Sequence, residues 1–225
     1  IFIFKPIHTV TIDIFIKVGS RDETKNTRGC AHILEHLLVK QTKKRKNYKD
    51  LYMELQRLGD YNASTSKNIS NFFLTTPKEK FKHGLEILSD LLFNSQLTQK
   101  LLEKEKPIVL EELNFMKENE LSFSLRVLHN ICFKNHPLEH LVIGNKQSIQ
   151  SLQLKDLRAF YNKYYTPSNM CLVICGNYPK NYKQYVSEHF SITKTSFQNP
   201  IPKQLYLQTK PNIFVYPKKI PLTTI

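Results

Sequence analysis

The chain has no apolar run of the roughly 20 residues that a membrane-spanning helix needs. No charged segment leading into an apolar stretch opens it in the manner of a secretory signal. It has no initiating Met, and Ile1 already stands inside what reads as a strand. A fragment is therefore expected, and the missing leader says little about the whole protein. No internal repeat and no low-complexity tract interrupts the sequence. Cysteine is sparse: Cys30, Cys132, Cys171 and Cys175 form no CxxC pair and no dense framework, which predicts a reduced, buried set. Acidic residues are few, 19 against 33 Lys and Arg, for a net charge of +14. Such an excess suits nucleic acid, an acidic partner or an anionic membrane surface. The one dense cluster, Lys43-Lys44-Arg45-Lys46, is short and has no interleaved aromatics, and no nucleic-acid-binding signature accompanies it. It reads as a solvated loop, and neither nucleic acid nor a membrane is expected as a partner.

What is there is length enough, at 225 residues, to bury a substantial core. Residues 7–18, "IHTVTIDIFIKV", alternate as a half-buried strand ended by Gly19-Ser20. Helical spacing runs from Gly29 to Lys40, over "YKDLYMELQRLGD" to a stop at Gly59, and from Glu79 to Phe93. "YNASTSKNISNFFLTT" is rich in β-branched and aromatic residues and predicts one or two strands, halted by Pro77. A long helix is expected over Thr98–Glu118 and another from about Leu121. "DLRAFYNKYY" and "YKQYVSEHF" read as helices around a short buried strand, "NMCLVICGN". "NPIPKQ" reads as a linker to a final strand at 213–216. Strands mixed with helices, without regular βαβ alternation, predict an α+β fold with a mixed, largely antiparallel sheet covered by helices.

"GCAHILEHLLVKQT", residues 29–42, sets three ionisable groups among Cys30, Ala31, Ile33, Leu34, Leu37, Leu38 and Val39. Polar groups in such company are costly to bury without partners. On a helix, His32 and His36 lie one turn apart on one face and can aim their rings at one point. Glu35 sits beside His36, within reach of a water at that point but poorly placed as a third ligand. H-x-x-E-H is a zinc-peptidase signature, although a pair of satisfied core histidines explains these residues alone equally well. A catalytic zinc wants a third protein ligand. "EKEKPIVLEELNFMKEN" offers Glu105 and Glu112, two helical turns apart and sharing a face with Ile108 and Val109, while Glu111 reads as solvent-facing. Pro107 lies between the two carboxylates, and a kink there would displace Glu105.

H-x-x-E-H, with a Glu some seventy-odd residues later and another Glu seven positions before that one, resembles the pitrilysin family of zinc peptidases. "VGSRDE", "LGDYNASTS", "HPLEHLVIGNKQSI" and "LRAFYNKYYTPSNMCLVICGN" also resemble family segments, in the family's order, so the likeness covers nearly the whole chain. The resemblance implies that His32, His36 and Glu112 bind Zn2+, that Glu35 is the general base, and that Glu105 supports the metal site. It implies a zinc-dependent endopeptidase acting on extended peptides or presequence-like segments. A catalytically silent structural or peptide-gripping subunit of the same fold is the alternative. In the family, the strand bearing an Asn-Ala pair offers its edge to substrate, which carries over to Asn62 and Ala63; an ordinary core strand is the other reading.

The resemblance also implies one half-domain of a two-half clamshell. Residues 1–198 would be the metal-binding half-domain and 199–225 a linker and the start of the next. The expected partners are a peptide substrate and a second half-domain or homologous subunit. The compartment is not legible; the cytoplasm is the default and an organelle stays open. His8, His83, His129, His136, His140 and His189 show no ligand spacing, and Cys30 is expected to pack rather than bind metal.

Overall fold

The structure, a computed structural model, describes residues 1–134 and 136–190. In chain order the elements are β1 (Phe2–Phe4), β2 (Thr9–Ile16), α1 (Cys30–Leu38), α2 (Tyr48–Leu58), β3 (Asp60–Thr65) and β4 (Ser70–Pro77). There follow α3 (Phe81–Asn94), α4 (Gln99–Glu118), α5 (Glu120–Cys132), α6 (Lys146–Ser151), α7 (Leu154–Tyr164), β5 (Met170–Gly176) and α8 (Tyr182–His189). The expected linker "NPIPKQ", the strand at 213–216 and the boundary at residue 198 lie outside the described residues.

The five strands form one sheet in the order β1-β5-β2-β4-β3, antiparallel throughout except for the parallel β1–β5 pair. The fold is α+β, as the absence of βαβ alternation predicts. Period-two patterning decides which face is covered. Val10, Ile12, Ile14 and Ile16 of β2 and Phe72 and Leu74 of β4 are buried, and the residues between them are half-exposed. Phe81, Leu85, Leu88 and Leu92 make the apolar stripe of α3 and are all buried on the same core. Gly84 lets α3 approach the sheet closely: a Cβ there would come within 3.1 Å of both Ile12 and Leu74 side chains.

Three expectations need correction. The cysteines are free, but only Cys30 is buried; Cys171 is exposed and Cys132 and Cys175 are half-exposed. The two on β5 alternate with the strand's more buried positions, on the face that the described helices leave more open. The Lys43–Lys46 segment is not uniformly solvated: Arg45 is 9% exposed. It makes a two-pronged pair to Glu54 at 2.6 Å on each prong and reaches Asp90 at 2.7 Å and Glu86 at 3.1 Å. Those carboxylates come from α2 and α3, a proximity that linear spacing does not reveal. Finally, Ile108 is 46% exposed. The inward face of α4 is instead Leu102, Glu105, Val109 and Leu113, at steps of three and four.

Candidate metal centre

The helix that carries the two histidines is held at its start by Glu23. Its carboxylate accepts from Gly29 N–H at 2.9 Å and from Ala31 N–H at 2.8 Å, supplying partners for N–H groups that the first turn leaves free. Gly29 has φ +88°, and a Cβ there would meet the Ile143 carbonyl at 2.7 Å. The entry to α1 therefore lies tight against the 143–144 segment. Cys30 turns away from the histidines, its Sγ 4.0 Å from the Asp156 carbonyl, and takes no part in the site.

His32 and His36 then stand one turn apart with ring centroids 4.8 Å from each other. Across from them, α4 delivers two carboxylates. Glu112 Oε1 lies 3.5 Å from His32 Nε2, and Glu112 Oε2 lies 3.7 Å from His36 Nε2. One ligand atom from each of the three residues falls within 4.8 Å of the others. Glu105 is buried behind them, its Oε2 3.3 Å from His36 Nδ1 and its Oε1 2.9 Å from Lys40 Nζ. Pro107 does not displace it, for α4 runs unbroken from Gln99 to Glu118. Glu111 is exposed, as expected.

The distances bear on what the cluster can hold. At 3.5 and 3.7 Å, Glu112 is too far from either imidazole nitrogen for a good hydrogen bond. Burial, with His36 adding to it, pushes His32 down to about 4, so its ring is neutral near pH 7. His32 Nδ1 is buried with no hydrogen-bond partner. Glu112 and the ring nitrogens of His32 and His36 thus face one another without a good hydrogen bond between them, an arrangement that a cation would complete. Ligand atoms 2.0–2.2 Å from a tetrahedral zinc are separated by roughly 3.3–3.6 Å, close to the two distances from Glu112 to the histidine nitrogens. Two nitrogens and one carboxylate oxygen also suit zinc chemically, and deprotonated ligands are what it requires.

Glu35 stands beside this cluster, its Oε2 accepting a 2.6 Å hydrogen bond from Thr65 Oγ1. Burial pushes its carboxyl above the ordinary range, Thr65 and His36 pull it back, and Glu112 adds to the rise. Burial likewise raises Glu112, with His36 opposing. For Glu105, burial raises the carboxyl, but the hydrogen bonds and charges of His36 and Lys40 together outweigh it and leave the group below its ordinary value.

Asn62 and Ala63 lie on β3, which pairs with β4 on one side only among the described residues. The Ala63 N–H is occupied by the Asn62 side-chain carbonyl at 2.9 Å. The same strand ends at Thr65, so its free edge leads to Glu35. Thr65, Lys40 and Glu23 were not singled out from the sequence. Lys40 follows His36 by one helical turn, and Thr65 follows Ala63 by one strand period, so faint signals existed for both. A second group of possible ligands, Glu54, His83 and Glu86, also assembles. His83 Nε2 is 2.6 Å from Glu54 Oε1, although its sequence position shows no ligand spacing. Arg45 already supplies the cation there.

Comparison with known proteins gives the chain's family. The profile described as "Insulinase (Peptidase family M16)" matches residues 4–146, and one described as "Peptidase M16 inactive domain" matches residues 151–224. The chain belongs to the insulinase family, peptidase family M16. Among family proteins, the mitochondrial-processing peptidase subunit beta of Caenorhabditis elegans is 33% identical over 75% of this chain and 37% of its own length. The zinc protease YmxG of Bacillus subtilis is 28% identical over 82% of this chain and 45% of its own length. The crystal structure of a protease from Helicobacter pylori superimposes with a TM-score of 0.79 at 28% identity, over 88% of this chain and 48% of that one. This chain therefore spans less than half the length of these relatives.

Proposed function

We propose that the chain is the metal-bearing half of a zinc endopeptidase, with His32, His36 and Glu112 as ligands and Glu35 as general base. The observation that carries the reading is the convergence of two imidazoles and a carboxylate whose ligand atoms lie within 4.8 Å of one another, with a second carboxylate held beside them. When bound, zinc supplies Lewis acidity that polarises a scissile carbonyl and acidifies water.

The chain's own residues do the rest. Glu105 accepts from His36 Nδ1–H, which fixes the tautomer and leaves Nε2 as the donor lone pair; Lys40 holds Glu105 in turn. Thr65 holds one oxygen of Glu35, so the other is free to take a proton from the attacking water and pass it to the leaving amine. An extended peptide adds to the free edge of β3 through backbone hydrogen bonds, displacing the Asn62 side chain from the Ala63 N–H. The rest of the molecule, or a homologous partner subunit, closes over the open side. Within this arrangement, residues 1–198 are the metal-binding half-domain and 199–225 begin the connection to the next.

The test is Glu35→Gln, which keeps shape and loses the proton acceptor. Zinc content should be unchanged and peptide hydrolysis should drop by at least about a hundredfold. Wild-type rates in the variant would remove Glu35 as base. No hydrolysis by the wild-type assembly, with zinc in place, would identify a silent subunit of the same fold.

A further inference from the structure

Beyond the end of β3, a series of side-chain contacts leads to a pair of cationic clefts that the proposed mechanism does not use. Two residues past Thr65, Lys67 Nζ donates to the Leu138 carbonyl at 2.7 Å and also to the His140 carbonyl. The Arg28 guanidinium donates from Nη2 to His140 Nε2. Arg28 in turn lines two adjoining clefts, of about 300 and 400 Å³, which share it and Asn145. Arg28 immediately precedes the turn into α1, one helical turn before His32.

The lining is one-sided in charge. Among the described residues, Lys25, Arg28, Lys117, Arg126, Lys146 and Lys155 line the two clefts against Glu139 and Asp156. Asp156 is partly engaged, accepting from the Gln153 N–H at 3.2 Å. The excess is felt by the histidines nearby. Burial and then Arg28 push His140 below its ordinary value, Glu139 opposes, and Lys67 and Lys25 add to the fall; burial and then Lys67 lower His129. Among the described residues, no aromatic ring other than the imidazole of His140 lines either cleft, so they offer no stacking platforms of the kind that grip single-stranded nucleic acid.

We propose that this groove binds acidic side chains of the peptide substrate on the side of the scissile bond that passes the Thr65 end of β3. The proposal rests on the peptidase reading and names the substrate class of that site. A peptide laid along the β3 edge passes Glu35 at Thr65 and would continue towards Lys67 and, through His140, Arg28, where its carboxylates would meet clefts lined by more basic than acidic side chains.

The experiment uses the full-length protein, with any partner subunit it requires, and pairs of quenched fluorescent peptides of equal length. Each pair carries Glu-Glu or Gln-Gln a few residues from the scissile bond, on one side or the other. At low ionic strength the wild type should favour the Glu peptide, on one side only, by roughly three- to tenfold in kcat/KM, and added salt should erode the preference. Lys146→Glu/Lys155→Glu should bring the ratio to one or below; comparing two peptides within one variant cancels any loss of overall rate. Reversal at two distant lysines, Lys180→Glu/Lys183→Glu, should keep the preference. A wild-type ratio of one, or a ratio untouched by Lys146→Glu/Lys155→Glu, overturns the proposal. A binding arm separates it from the peptidase reading. Anisotropy of the labelled Glu and Gln peptides on the Glu35→Gln protein measures the groove without turnover. If nothing is hydrolysed but Glu still outbinds Gln and charge reversal abolishes the difference, the groove stands and the peptidase reading falls. Hydrolysis without preference in either arm has the opposite meaning. A single-stranded oligonucleotide that displaces the Glu peptide at a lower concentration than the peptide itself would assign the groove to nucleic acid and overturn the proposal.

Discussion

Thr65 Oγ1 donates a 2.6 Å hydrogen bond to Glu35 Oε2, tying the last residue of an edge strand to the carboxylate beside the metal cluster. A hydroxyl fixed by its own strand leaves the carboxylate one orientation, so the strand that would align substrate also aims the proposed base. Thr65→Val should therefore lower kcat by about tenfold or more, the usual worth of a hydrogen bond to a charged group, while KM and zinc content change little. Thr65→Ser should recover most of the rate. Steady-state kinetics on the three proteins decides it: an unchanged kcat in the valine variant would make the contact incidental.

The metal cluster gives a second prediction. The purified protein should hold about one zinc per chain, because the ligand set is complete. His36→Ala or Glu112→Ala should abolish retention after mild dialysis, and chelation should lower the wild-type melting temperature, since zinc binds the folded chain. Elemental analysis and thermal melts report both. Full metal retention in the two variants would place the ligands elsewhere.

Glu105 separates support from ligation. Its carboxylate bridges His36 Nδ1 and Lys40 Nζ rather than facing the ligand point. Glu105→Ala should weaken zinc binding by about 10- to 100-fold without abolishing it, as read by competition with a chromophoric chelator. Loss as complete as that of Glu112→Ala would make Glu105 a ligand.

How much of this was legible follows from where each signal resides. The α1 stripe and the β2 alternation are periodicities within one element, and they set the helix of His32 and His36 and the sheet's buried side; on α4 the same reasoning placed Glu105 and Val109 inward but wrongly put Ile108 with them. The pairing of Glu112 with α1 is a contact between elements distant in sequence; only the family likeness pointed to it. Arg45 shows the limit most plainly. In the sequence it is one of four consecutive basic residues, and nothing local distinguishes it from Lys44 or Lys46. Its burial exists because Glu54, Glu86 and Asp90 on two later helices converge on it. The Thr65–Glu35 bond escaped for the same reason: each residue is ordinary in its own element.

The Arg45 cluster has its own consequence. Arg45→Ala removes the cation that the three carboxylates share, leaving Lys44 on Glu86 and His83 beside Glu54, and should destabilise the fold by about 3 kcal/mol. The hydrogen bond from Arg45, aided by His83 and opposed by burial, holds Glu54 down to about 2. A carboxyl depressed in the folded state stabilises above its unfolded pKa, near 4.5, and loses that contribution as pH falls towards 2. Melting temperature should therefore drop between pH 4.5 and 2 in the wild type, and much of that slope should vanish in Arg45→Ala. An unchanged slope in the variant would assign the acid sensitivity to other groups.

The last prediction concerns the open side of the metal centre. The Glu112 side chain is 41% exposed, and β3 presents its free edge on the same side of the molecule. Hydrolysis needs water controlled around the reacting groups and a substrate gripped from more than one direction. One strand edge and one metal face supply a single wall. The relatives are more than twice as long as the stretch they share with this chain, 37% of the Caenorhabditis protein and 45% of the Bacillus one being covered. Residues 1–225 expressed alone should therefore bind zinc but cleave unstructured peptides poorly, and the complete protein, or a partner subunit added in trans, should restore turnover. The assay compares the two on one quenched fluorescent peptide, with rates normalised to bound zinc. Equal rates per zinc would mean that a single wall is enough and that the closing half is not needed for the chemistry.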